Sequence, residues 1–111
     1  MSSGPGALPL TVSVTQADQM RAAGDLIIDV RESSEWAGGH IAGATLIPLG
    51  SLPSRLSELP RDRPILVVCH SGNRSAQARD ILRAAGFPSV TSMAGGMAAW
   101  LAAKMPVVTG P

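Results

Sequence analysis

Four apolar residues, Ile65-Leu66-Val67-Val68, run without polar alternation into Cys69, the only cysteine of the chain. A strand with one face in water alternates, whereas a strand covered on both faces does not. The run therefore points to a sheet packed between two layers. Behind the cysteine comes a small polar stretch, His70-Ser71-Gly72-Asn73-Arg74-Ser75. Then Ala78, Ile81, Leu82 and Ala85 fall at i, i+3, i+4 and i+7, the spacing of one helix face. A buried strand thus delivers a thiol into a tight loop that opens a helix. The first amides of a helix have no internal partners and sit at the positive end of its dipole, so this loop is an anion site. A thiol placed there ionises more easily than a free cysteine.

The rest of the chain repeats the alternation of strand and helix. Leu10-Thr11-Val12-Ser13-Val14 reads as an opening strand, with Thr15 as N-cap of a short helix and Asp18 completing a capping box. Gly24 stops that helix. Leu26-Ile27-Ile28-Asp29-Val30 is a second buried strand, with an acid near its C-terminal end, where α/β proteins place their sites. Ser33 or Ser34 starts a helical turn that carries Trp36, and Gly38-Gly39 breaks it. A short strand spans residues 44–47. Ser51 caps a helix with Leu52, Leu56 and Leu59 on its apolar face. Residues 89–93 form the fifth strand, and Met97, Trp100 and Leu101 mark the last helix. This order predicts an α/β fold: one five-stranded, mainly parallel sheet flanked by helices on both faces. The domain covers residues 10–107, after a flexible lead over 1–9 and before a frayed tail over 108–111.

Composition narrows the function. One lysine and a net charge of +1 exclude a nucleic-acid binder that relies on phosphate neutralisation. A single cysteine excludes an internal disulfide and a resolving partner within the chain. No apolar run approaches the ~18 residues of a transmembrane helix, and residues 1–9 lack the basic and apolar regions of a secretory signal. The expected location is the cytoplasm. Cys69, His70 and His40 lack metal-ligand spacing, so no metal or cofactor is expected.

Six stretches then identify a family. Asp29-Val30-Arg31-Glu32, Gly39-His40-Ile41-Ala42-Gly43-Ala44, Ile47-Pro48-Leu49, Cys69-His70-Ser71-Gly72-Asn73-Arg74-Ser75, Gly86-Phe87 and Gly95-Gly96-Met97-Ala98-Ala99-Trp100 resemble, in order and spacing, successive motifs of the rhodanese-like domain. The resemblance covers about residues 10–107. It implies a sulfurtransferase in which Cys69 carries a sulfane sulfur as a persulfide.

The residues suit that chemistry. Amides from residues 70–75 converge on one point and stabilise a thiolate, then a persulfide anion. Gly72 permits the close turn. Ser71 and Ser75 supply hydroxyls. His70 and Arg74 are the cations that draw in an anionic donor such as thiosulfate. Asp29 and Arg31 support the site as an ion pair, and His40 is held by hydrogen bonds in a Gly-rich turn. Arg74 stands five residues after Cys69, one fewer than in the Cys-x5-Arg loop of cysteine phosphatases, so the cradle suits a sulfur atom better than a tetrahedral oxyanion. Many thiosulfate-using members carry Arg directly after the cysteine, where this chain has His70. The expected reaction is ping-pong transfer from a small sulfur donor to cyanide, a thiol or a protein acceptor. The other readings are a sulfur-relay module loaded by a partner protein and a phosphatase or arsenate reductase on the same scaffold.

Overall fold

The computed structural model of the chain describes residues 7–111, so most of the lead, residues 1–6, lies outside the described residues. Five strands, β1 (Thr11–Val12), β2 (Leu26–Asp29), β3 (Thr45–Leu46), β4 (Ile65–Val68) and β5 (Val90–Met93), form one sheet in the order β1-β5-β4-β2-β3. Every pairing in it is parallel. The helices are α1 (Val14–Ala22), α2 (Ser33–Ala37), α3 (Asn73–Ala84) and α4 (Gly96–Ala102), with a 3-10 helix over Leu49–Glu58.

The central strand β4 has no exposed residue. Ile65 and Val67 face the α3 side, packing with Ala78 and Leu82 of that helix and Leu52 of the 3-10 helix. Leu66 and Val68 face the other layer, with Ala17 of α1 and Met97 and Trp100 of α4. Each such side chain contributes about 1.5–3 kcal/mol on burial. The two-residue period continues past the strand end. Cys69 falls in register with Ile65 and Val67, and so on the face where α3 begins.

Three expectations are corrected. Ser13, not Thr15, caps α1: its hydroxyl accepts from the Gln16 amide while the Gln16 side chain accepts from the Ser13 amide. That reciprocal pair satisfies two donors at once, and Asp18 turns instead to Arg21 at 2.8 Å. The leucine-patterned helix begins at Leu49, behind Pro48, and is 3-10 throughout. In an α-helix the Pro53 ring would clash with the carbonyl four residues back, which disfavours the α-type ladder. Finally, the tail expected to fray is tied down. His40 and Val108 exchange two backbone bonds of 2.9 Å, and the Gly110 amide donates to Ala37 O at 2.9 Å.

Candidate active site

Cys69 leaves the C-terminal end of β4 and is 1% exposed. Its Sγ accepts a hydrogen bond from the Gly72 amide at 3.0 Å and lies 3.4 Å from Ser75 Oγ in the first turn of α3. Gly72 makes the return possible. It takes φ +104°, a backbone conformation that residues with a Cβ rarely adopt. Beneath the sulfur, Ser75 Oγ lies 2.6 Å from Ser92 Oγ of β5.

Burial pushes the Cys69 thiol up, but the Ser75 hydroxyl and the amides of Ser75, Gly72 and Ser71 together outweigh it, and the net shift is downward. The neutral thiol donates to Ser75. Once ionised, the sulfur can only accept, and the Ser75 hydroxyl turns to donate to it. The loop residues expected at the site are therefore brought together at Ser71, Gly72 and Ser75. His70 and Asn73 are exposed at its rim.

The two arginines do not point at the sulfur. Arg74 forms a fork–fork pair with Glu35 of α2, Nη1–Oε1 at 2.7 Å and Nη2–Oε2 at 2.8 Å. That pairing holds the Glu35 carboxyl down to about 2 and raises Arg74. Arg31 is 5% exposed and pairs with fully buried Asp29, Nη2–Oδ2 at 2.8 Å, as the expected ion pair. Its guanidinium also donates to Gly39 O at 2.8 Å, pinning the Gly38-Gly39 turn to β2. His40 is fixed by Trp36: its Nδ1 lies 2.9 Å from Trp36 O, and the rings stack at 3.5 Å. Beside the loop opens a pocket of about 480 Å³, lined among others by Arg31, Glu35, Gly39, His70, Leu101 and Val107. Among the described residues no group of three His, Cys, Asp or Glu side chains is placed to hold a metal ion. No helix among them is long and apolar enough to cross a membrane.

The model of the rhodanese-like domain matches residues 13–103. The chain belongs to the rhodanese-like domain family. It is 39% identical over 83 residues to a sulfurtransferase of Allochromatium vinosum, covering 75% of this chain and 78% of the relative. It is 38% identical over 89 residues to the thiosulfate sulfurtransferase GlpE of Pseudomonas entomophila, covering 80% and 82%. Among solved structures, a rhodanese-related protein from Thermoplasma volcanium superposes with a TM-score of 0.84 at 31% identity, over 90% of this chain and 98% of that one. The protein is a rhodanese-like enzyme, a sulfurtransferase.

The rhodanese-like signature Gly95-Gly96-Met97 acquires a physical role here. The Met97 and Ala98 amides donate to Cys69 O at 2.7 Å and His70 O at 3.0 Å, so α4 grips the cysteine loop from behind. Gly96, at φ +58°, lies so close to both carbonyls that a Cβ would collide with them. Three supporting residues lie outside the expected site: Glu35, Ser92 and Gly96. Gly96 left a signal in the Gly-Gly pair. Glu35 and Ser92 left none, since each meets the loop only across the fold.

Proposed function

We propose that Cys69 is the sulfur-carrying nucleophile of a ping-pong transfer. The thiolate attacks the sulfane sulfur of a donor, the donor's S–S bond breaks, and the leaving anion takes the electron pair. Cys69 then holds a persulfide, whose outer sulfur passes to an external thiol, protein nucleophile or, in an assay, cyanide. Thiosulfate, named in the relative from Pseudomonas entomophila, and hydropersulfides both have this chemistry. The supporting observation is the cradle itself: an amide 3.0 Å from Sγ and a hydroxyl at 3.4 Å, closed around one buried sulfur. Donors already aimed at the anion cost no reorganisation when charge develops. A thiol with no partner in the chain works only while reduced, which fits the cytoplasm.

Intact-protein mass after incubation with thiosulfate, and separately with an organic hydropersulfide, tests the proposal. A gain of one sulfur atom that cyanide removes, and that Cys69→Ser abolishes, is the expected result. Loading only from a partner protein's persulfide would make this a relay module. Hydrolysis of an aryl phosphate without sulfur loading would overturn the proposal.

A further inference from the structure

Two arginines stand at the mouth of the cysteine loop, and each is already paired. Arg31 is cancelled by Asp29, and Arg74 by Glu35, both at hydrogen-bonding distance. Glu32, the N-cap of α2, lies close enough to act on Arg74 as a further negative charge. The remaining basic side chain at the pocket is His70. Both arginine charges at the mouth are therefore matched by carboxylates. Apolar side chains line the pocket too: Leu101, 53% exposed, and Val107. A small dianion gains little from this environment. A donor with an uncharged organic group gains contact with Leu101 and Val107 and forfeits no attraction.

We propose that Glu35 is a specificity-determining, positioning residue that disarms Arg74, so that the pocket prefers an organic hydropersulfide of low charge to thiosulfate. The organic part rests against Leu101 and Val107. The Cys69 thiolate attacks the outer sulfur of R–S–SH and the R–S bond to that sulfur breaks. The proton stays with the transferred sulfur, and R–S⁻ leaves with the electron pair. This rests on Cys69 being the sulfur-carrying nucleophile.

The experiment measures kcat/KM for sulfur loading at pH 8 with thiosulfate and with N-acetylcysteinamide hydropersulfide, whose organic part is uncharged. Wild type should prefer the hydropersulfide. Its thiosulfate rate should change less than about twofold between low and physiological ionic strength, because salt screens only an attraction that exists. Glu35→Gln frees the Arg74 charge. It should shift the thiosulfate-to-hydropersulfide ratio at least about tenfold toward thiosulfate, chiefly through KM, and create a rate that falls with salt. Glu35→Asp, which keeps the charge, should restore the wild-type ratio.

If both donors lose rate in proportion in Glu35→Gln, Glu35 is merely structural and the proposal fails. The salt series on wild type decides even where the variant does not fold: a thiosulfate rate that drops steeply with salt overturns it. Wild type that loads from both donors but favours thiosulfate refutes the donor preference alone. Wild type that loads from neither refutes the persulfide reading beneath it.

Discussion

Ser92 Oγ lies 2.6 Å from Ser75 Oγ, directly behind the hydroxyl that faces the Cys69 sulfur. When the sulfur ionises and Ser75 turns its proton toward it, the Ser92 hydroxyl can donate to Ser75 Oγ in turn. Hydroxyls chained in this way polarise one another. Ser75→Ala should therefore raise the pH midpoint of Cys69 alkylation, and Ser92→Ala should raise it by less. Iodoacetamide kinetics across pH measure both. A midpoint unmoved in Ser75→Ala would show that the loop amides alone hold the thiolate.

The downward shift of Cys69 also has a sign in stability. A group whose folded value is depressed adds stability above its unfolded value and loses it as pH falls through the folded one. Wild type should alkylate with a midpoint below the ~8.5 of a free cysteine. Its stability relative to Cys69→Ser should grow as pH rises from that midpoint toward ~8.5. Denaturant melts at a series of pH values check the second statement independently of reactivity.

These effects differ in how far the sequence announces them. The β4 run, the loop and the α3 face are contiguous, so Cys69, Gly72 and Ser75 can be placed from local pattern alone. The parallel sheet follows from Leu26–Asp29 and Ile65–Val68 lacking alternation. Arg74 was legible as a cation but not as a neutralised one, because Glu35 is 39 residues away and meets it only when α2 folds beside α3. Ser92 is hidden for the same reason: its role depends on β5 lying next to β4. The anchored tail is the converse case. Polar, Pro/Gly-containing ends suggest fraying, yet Val108 pairs with His40 through backbone groups that no side-chain pattern reveals.

Asp29 is fully buried with Arg31 as its cation, and the Arg31 amide also donates to its Oδ1 at 3.0 Å. Asp29→Asn leaves a buried guanidinium without a counter-charge, which typically costs about 3–5 kcal/mol. The expected outcome in a urea melt is a free energy of unfolding lower by that amount, read as a lower midpoint at an unchanged slope. Activity should fall too, since Arg31 also holds Gly39 O at the pocket edge. A loss below ~1 kcal/mol would mean water replaces the carboxylate.

The Glu35–Arg74 pair makes a pH prediction separate from donor choice. The Glu35 carboxyl is depressed from 4.5 to about 2, first by its hydrogen bonds to Arg74. Between those values the unfolded chain binds the proton more tightly, so the pair's stabilisation is complete above 4.5 and is lost as pH falls toward 2. The stability gap between wild type and Glu35→Gln should narrow through that window. A gap that stays constant there would mean the contact stabilises by packing and not by charge.

Gly96→Ala tests the grip of α4 on the loop. Alanine at φ +58° costs about 1–2 kcal/mol from backbone conformation alone. Its methyl group would also drive into the carbonyls of Cys69 and His70, and overpacking of this kind adds about 1–3 kcal/mol. The strain has two outlets. If the loop yields, the Met97 and Ala98 amides lose their acceptors and the Cys69 cradle opens. Sulfur loading then drops more than the melting temperature suggests, and the alkylation midpoint rises toward that of a free thiol. If α4 yields instead, stability falls while the midpoint stays in place. Measuring both on one variant shows which side is stiffer. The loop's own bonds, from the Gly72 amide to Cys69 Sγ and from Ser75 Oγ to Gly72 O, hold it independently of α4 and predict that α4 moves first.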